Sequence, residues 1–155
     1  MTYFGVAVYR PKHENNIGTL WRSALTYGAG FIATVGTRYS HQSSDTCKTP
    51  HEVPLHHYVD MDDLRTHLPH GCPIVGVELD SRAVALPKFA HPRQALYLMG
   101  AEDHGLPVAV LDRCHHVVQI PTPAQWSLNV AVAGSLVMAD RFAKSQAGRL
   151  RAVAS

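Results

Sequence analysis

The sequence predicts an α/β fold in which a mostly parallel sheet is flanked by helices. Short apolar runs rich in β-branched residues alternate along the chain with segments whose apolar residues recur every three or four positions. The length of 155 residues lies within the range of one domain, and we find no internal repeat, low-complexity tract or linker. We therefore expect residues 1–155 to form a single domain of alternating strands and helices.

The beginning of the chain predicts a strand–helix–strand unit. Residues 3–9 (YFGVAVY) and 31–35 (FIATV) are apolar runs typical of buried strands. Between them, apolar residues from Ile17 onward mark one face of a helix, which Asn15 or Asn16 can cap and which GAG at 28–30 ends. Because a helix connects the two strands, we expect them to lie parallel.

The rest of the chain continues this alternation. Polar, turn-rich residues 36–52 are long for a connection without secondary structure, which indicates a functional loop. The tail from residue 144 is expected to fray. The predicted strands are 55–59, 73–79, 94–100 and 116–120, and the predicted helices are 61–68, 106–114 and about Ser127 to Ala143.

Composition excludes several classes of protein. A formal net charge of +2 gives no reason to assign nucleic acid on charge alone. Cys47, Cys72 and Cys114 lack tight spacing and predict reduced thiols rather than a disulfide framework. No apolar run reaches membrane-spanning length, and the first ten residues do not resemble a signal peptide. We expect a soluble cytoplasmic protein that makes no membrane contact.

Four predicted loops lie beyond the carboxyl ends of strands, where ligands collect in open α/β sheets. Within them, Gly100 lets another group approach the backbone closely, and two prolines stiffen the last loop. Neither a P-loop nor a dinucleotide fingerprint is present. We therefore expect a ligand that is recognised through main-chain groups of these loops, which are 10–16, 36–52, 100–105 and 121–126.

Three segments resemble, in order and spacing, the three motifs of the SpoU (TrmH-like) family of the SPOUT RNA methyltransferases. They are NIGTLWR (16–22), LYLMGAEDHGLP (96–107) and IPTPAQWSLNVAVAGSL (120–136). Each motif alone has little specificity, but the three together cover most of the chain. The resemblance implies an RNA 2′-O-ribose methyltransferase that uses S-adenosylmethionine. It also implies a homodimer with a C-terminal trefoil knot.

The resemblance also implies a set of cofactor-binding residues. Gly100, Ile120 and Val77 or a neighbour would offer main-chain groups to the cofactor. Ser127 and Leu128 would close the site, and Asn129 would hold the knot loops or the cofactor. From the residues alone, Ser127 could equally be the N-cap of the last helix.

By the same resemblance, Arg22 is the catalytic residue, either as a base or as a clamp. A guanidinium with a pKa above about 12 hardly gives up its proton, which favours a grip on phosphate and a developing alkoxide. Asn16 would support Arg22, or cap its helix. Glu102 would face the cationic cofactor or an arginine, or be a solvated loop acid.

The favoured substrate is tRNA rather than rRNA, because the chain is close to a minimal catalytic unit. His41 and His104 are candidate RNA contacts, and the histidine pairs at 56–57 and 115–116 lack zinc spacing, so no metal is expected. Two other interpretations stay open, namely a non-catalytic RNA-binding or ribosome-associated protein on the same fold, and a nucleotide-binding protein unrelated to RNA. Candidate cations for RNA are Arg10, Lys12, Arg38, Lys48, Lys144, Arg149 and Arg151.

Overall fold

A computed structural model describes residues 2–39 and 52–148. Its strands are β1 (Tyr3–Tyr9), β2 (Phe31–Val35), β3 (Leu55–Tyr58), β4 (Ile74–Val77), β5 (Val84–Ala85), β6 (Gln94–Met99) and β7 (His116–Gln119). Its α-helices are α1 (Glu14–Tyr27), α2 (Met61–His67), α3 (Val108–Leu111) and α4 (Val130–Gln146), and a 3₁₀ helix spans Leu86–Lys88.

The described strands form one sheet in the order β3–β2–β1–β6–β4–β7–β5. Every pair of neighbouring strands runs parallel. The predicted fold class, a parallel sheet flanked by helices, is confirmed, as is the parallel pairing of the first two strands. All carboxyl ends of the strands therefore lie along one edge of the sheet.

Apolar side chains from the two faces of the sheet pack into two cores. On one face, Phe4, Val6 and Tyr97 pack against the apolar sides of α1 and α4. On the other face, Leu96 and Leu98 pack against α2 and α3. Successive residues of β6 point to opposite faces, which explains why this strand is apolar along its whole length.

Two predicted helix starts are wrong. Helix α1 begins at Glu14, and its N-cap position is His13, which makes no side-chain cap bond, instead of Asn15 or Asn16. Helix α4 begins at Val130, and Asn129 rather than Ser127 is the N-cap. The side-chain oxygen of Asn129 accepts hydrogen bonds from the backbone N–H groups of Ala131 and Val132, at 2.9 and 3.3 Å.

Other predicted bounds are also corrected. The helix predicted at 106–114 is one turn only, Val108–Leu111. Strand β5 was not predicted, because two residues are too short to form a recognisable pattern. Helix α4 continues to Gln146, past the expected end at Ala143. Most of the predicted functional loop, residues 40–51, lies outside the described residues, as do residues 149–155.

Cys72 and Cys114 are free thiols, and burial raises the pKa of each to about 11. Both are therefore protonated at neutral pH and are poor nucleophiles. Cys47 lies outside the described residues. None of the helices described is long and apolar enough to cross a membrane. Within residues 2–39 and 52–148, no group of His, Cys, Asp or Glu side chains is arranged to hold a metal ion.

Candidate active site

A cavity of about 260 Å³ opens at the carboxyl ends of the neighbouring strands β6, β4 and β7. Val77, Met99 and Ile120, which end or follow these strands, give it an apolar lining. Its remaining walls are formed by residues 78–79, 100–105 and 126–128 and by Val130 and Ala133. Five of the residues predicted to hold a cofactor line this cavity: Val77, Gly100, Ile120, Ser127 and Leu128. Asn129 does not line it.

Gly100 is required by the folding of its own loop. A Cβ atom at Gly100 would lie 2.2 Å from the carbonyl carbon of Gly105, which no side chain could tolerate. The loop closes there because the Gly105 N–H donates to the Ala101 carbonyl at 3.0 Å. The close approach predicted at Gly100 is therefore made by the chain itself.

Glu78, which sequence reasoning missed, ties two walls of the cavity together. Its carboxylate accepts hydrogen bonds from the N–H groups of Leu106 at 2.7 Å and Leu79 at 2.9 Å. Gly105 has a φ of 60°, in the left-handed region that favours glycine, and a Cβ atom there would also meet this carboxylate at 2.3 Å. The available signal was an acidic residue directly after a buried strand.

Asn16, Glu102 and Asn129, one from each sequence motif, form a continuous hydrogen-bonded line. The side-chain amide of Asn129 donates to the side-chain oxygen Oδ1 of Asn16 at 2.9 Å. The Asn16 amide donates in turn to the Glu102 carboxylate at 2.6 Å. Since Glu102 lines the cavity, this line joins the starts of α1 and α4 to its rim.

Glu102 is held in its ionised form. Its partial burial alone would raise the pKa of the carboxyl, but hydrogen bonds from Asn16 and the Lys12 N–H, with the nearby His13, outweigh burial and lower it. Next to it, the Lys12 ammonium pairs with Asp103, and this pairing is the largest cause of the lowered pKa of Asp103. The segment after β1 is thus fastened to the loop after β6.

Arg22 and Asn16 do not line the cavity. Arg22 is exposed and lies six positions after Asn16 in α1, about 9 Å farther along the helix axis. Its guanidinium makes no hydrogen bond or ion pair with another described residue. The guanidinium is therefore free to bind a group from outside this part of the chain.

The other candidate RNA contacts have different positions. Arg10 and Arg38 are exposed, and His104 lies at the cavity wall. The prediction that Lys144 contacts RNA is wrong. Its ammonium is bound by Asp140 and by two backbone carbonyls, which leaves no free donor for RNA. Outside the described residues lie His41, Lys48, Arg149 and Arg151.

A family model for the SpoU rRNA Methylase family matches residues 3–139, nearly the whole described chain. The chain belongs to the SpoU rRNA Methylase family. The predicted family is thereby confirmed. The match includes all three motifs, and so the residues of the hydrogen-bonded line lie within the SpoU region.

Relatives of this SpoU chain include larger proteins. It is 28% identical, over 130 residues and 79% of its length, to a tRNA (guanosine(18)-2′-O)-methyltransferase from Mus musculus, of which it spans 8%. The SpoU methyltransferase AviRb from Streptomyces viridochromogenes superposes with a TM-score of 0.80 and 25% identity, covering 95% of this chain and 61% of AviRb. An AdoMet-bound rRNA methyltransferase from Sinorhizobium meliloti superposes with a TM-score of 0.78 and 25% sequence identity. The match covers 93% of this chain and 56% of that protein.

Proposed function

We propose that this protein is an RNA 2′-O-ribose methyltransferase that uses S-adenosylmethionine. The observation that carries this proposal is the hydrogen-bonded line Asn129–Asn16–Glu102, which brings the three motifs to the rim of one cavity. Membership of the SpoU family supports the same reaction.

The cavity fits the proposed cofactor in chemistry. Val77, Met99 and Ile120 offer apolar contact, and Gly100 and the loop around Ser127 and Leu128 line the walls. The lowered pKa of Glu102 keeps a negative charge at the rim, which suits a positively charged sulfonium. S-adenosylmethionine would supply an electrophilic methyl group there. The predicted trefoil knot around this site remains a prediction, supported by the common fold.

Arg22 acts in this proposal as an electrostatic clamp. Its exposed guanidinium grips an RNA phosphate and stabilises the 2′-oxygen as that atom gives its proton to solvent water and bonds to the methyl group. Asn16 positions Glu102 through the hydrogen bond described above. A planar guanidinium binds phosphate through two parallel hydrogen bonds, so lysine is a poor replacement for Arg22.

The proposed partners are RNA and a second copy of this chain. The name of the mouse relative favours tRNA and that of the Sinorhizobium relative favours rRNA, so tRNA stays the proposal and rRNA the alternative. Exposed apolar side chains on α4, Val132, Leu136 and Phe142, support a homodimer. A cytoplasmic location stays a prediction from the sequence.

The test is transfer of a labelled methyl group from S-adenosylmethionine to bulk tRNA and, separately, to rRNA. Arg22→Ala and Arg22→Lys should both lower the rate by about 100-fold or more, the scale expected for losing a transition-state donor. Binding of S-adenosylhomocysteine, measured by calorimetry, should be retained in both. Arg65→Ala is the matched control, because Arg65 is exposed beside Ile74 at the opposite edge of the sheet. Absence of methyl transfer to any RNA, or full activity in Arg22→Ala, would overturn the proposal.

A further inference from the structure

Trp126 is the most exposed of the large apolar side chains described, at 79%. Burying an indole in a core is strongly favourable, and tryptophans are highly buried on average. Here the ring belongs to neither apolar core, and no other described ring packs against it. The indole is therefore available to a partner molecule, and tryptophan is enriched at contact surfaces.

The backbone before Trp126 is bent at an energetic cost. The Gln125 N–H donates to the Thr122 carbonyl at 3.2 Å, closing a tight turn. Gln125 has a φ of 52°, in the left-handed region that a residue with a side chain rarely adopts. Pro121 and Pro123 restrict the same turn. The loop is therefore stiff, and it holds the indole out of the core.

Trp126 belongs to the exposed part of the cavity lining. Val77 and Met99, at the strand ends, are buried, whereas Asp103, His104 and residues 126–128 are exposed. An acceptor therefore reaches the cavity most directly from the side of these exposed residues.

Glu78, Glu102 and Asp103 also line the cavity. The Lys12 ammonium offsets the charge of Asp103, but the donors to Glu78 and Glu102 are uncharged. The remaining negative charge disfavours a phosphate, so we expect the part of an RNA that comes closest to this wall to be uncharged.

We propose that Trp126 stacks on the base of the nucleotide whose ribose is methylated. This inference rests on the proposed function and names the residue that positions its substrate. A base is flat and uncharged, and every base has a π face that an exposed indole can cover. Because stacking contacts tolerate any base, Trp126 sets the position of the acceptor nucleotide more than its identity.

The test compares Trp126→Ala with Trp126→Phe, which keeps a ring. The alanine variant should raise the KM for RNA about 10- to 100-fold, as loss of one stacking contact does, with kcat changed much less. The phenylalanine variant should recover most of the affinity. Val108→Ala is the control. Val108 is an exposed apolar residue too, at 65%, but it does not line the cavity. An unchanged KM in Trp126→Ala would overturn the proposal.

Two further measurements separate other roles for the indole. Affinity for S-adenosylhomocysteine should be the same in wild type and Trp126→Ala. A lower affinity for S-adenosylhomocysteine in the variant, with an unchanged KM for RNA, would show that the indole contacts the cofactor instead. The mass of the particle by light scattering should also be the same, and a change would place Trp126 against a second copy. If the wild type methylates no RNA, the proposed function is refuted. The stacking role of Trp126 is tested separately, by comparing the wild type with the Trp126 variants.

Fluorescence gives a direct readout that requires no turnover. The chain has two tryptophans, and Trp21 is buried at 3% exposure, with its indole N–H donating to the Val53 carbonyl at 2.8 Å. Added RNA should therefore quench the solvent-exposed emission of the wild type and have little effect on Trp126→Phe. Equal quenching in both proteins would contradict stacking on Trp126.

Discussion

At the scale of single residues, Asn16 shows why a carboxamide is needed at this position. Its oxygen accepts from Asn129 and its nitrogen donates to Glu102, so the side chain must be a donor and an acceptor at once. An aspartate could not donate to Glu102 and would repel it. Asn16 does not cap its own helix, because it is the third residue of α1 and His13 occupies the N-cap position.

Asn16→Ala tests this role without any substrate. Loss of the donor should raise the pKa of Glu102, because a hydrogen bond to the ionised form favours that form. NMR titration of the carboxyl carbon measures the shift, and the methyl-transfer rate should fall. Asn15→Ala is the matched control, since Asn15 is exposed and its side chain makes no such bond. A Glu102 pKa that does not move in Asn16→Ala would contradict the assignment.

Sequence reasoning identified the residue types of this site but not their partners. The motifs identified Asn16, Glu102 and Asn129, yet the bond between Asn16 and Asn129 joins residues 113 positions apart. Such a contact depends on how the helices pack, which no local pattern contains. Glu78 was missed for the same reason, since its acceptor role depends on the loop after β6.

At the scale of elements, the close packing of α1 and α4 makes the site possible. A Cβ atom at Gly134 would lie 2.4 Å from the Leu20 side chain, so glycine lets the two helices approach closely. The hydroxyl of Ser135 donates to that of Ser23 at 2.7 Å across the same contact. This packing brings the first turns of the two helices within reach of one hydrogen bond.

Asn129 gives a way to separate helix stability from assembly of the site. Asparagine and aspartate cap helices equally well, so Asn129→Asp should change the free energy of unfolding little, whereas Asn129→Ala should lower it by about 1 kcal/mol. Urea unfolding measures both. Aspartate cannot donate to Asn16, so both variants should lower methyl transfer. Normal transfer by Asn129→Asp would show that this bond is dispensable.

Periodicity predicted most of the elements, and helix ends were the part it missed. The apolar stripe of α1, Ile17, Leu20, Trp21 and Ala24, is buried as expected, and Gly28 ends the helix in the left-handed conformation. The start of α4 was placed three residues early, since Ser127 and Asn129 both suit a cap position. Which one caps depends on the path of the stiff loop before them.

At the scale of the whole molecule, α4 joins the cavity to a buried polar cluster at the other end of the sheet. This cluster consists of His91, Tyr97, Asp140, Arg141 and Lys144. The His91 ring bonds to the Tyr97 hydroxyl at 2.6 Å and to Asp140 at 2.8 Å. Arg141 donates to the carbonyls of Pro92 and Arg93, and Lys144 pairs with Asp140 at 2.6 Å. The cluster holds the end of α4 on the segment that precedes β6.

This cluster predicts loss of stability in mild acid. Burial lowers the pKa of His91 below its ordinary value of 6.5, and the nearby Lys144 and Arg141 cations add to this, although Asp140 opposes it. The unfolded chain therefore takes up this proton at higher pH than the folded chain. The free energy of unfolding should be greatest above pH 6.5 and fall as the pH drops through the window between the two pKa values.

Urea unfolding between about pH 7.5 and 5.5 checks this prediction. The decrease should be larger for wild type than for His91→Gln, which cannot titrate, whereas the exposed control His70→Gln should follow wild type. NMR titration of the His91 ring in the wild type gives an independent measure. A His91 pKa at or above 6.5 would contradict the prediction.

The fold class was predictable at this scale, because alternating strands and helices leave few arrangements. The order of the strands was not. Strand β6 lies between β1 and β4, although the chain forms four other strands between β1 and β6. His91 illustrates the limit, since its buried partners come from β6 and α4 and nothing in its local sequence marks it as buried.

The negative charge around the cavity sets a condition on the shape of the acceptor. Glu78 and Glu102 line the cavity that a polyanion must approach, and their donors are uncharged, whereas the Lys12 ammonium offsets the charge of Asp103. A rigid duplex would bring its phosphates along with the sugar. An unpaired nucleotide can turn its ribose inward while the backbone swings away, so loops and single-stranded stretches are the RNA conformations that this entrance admits.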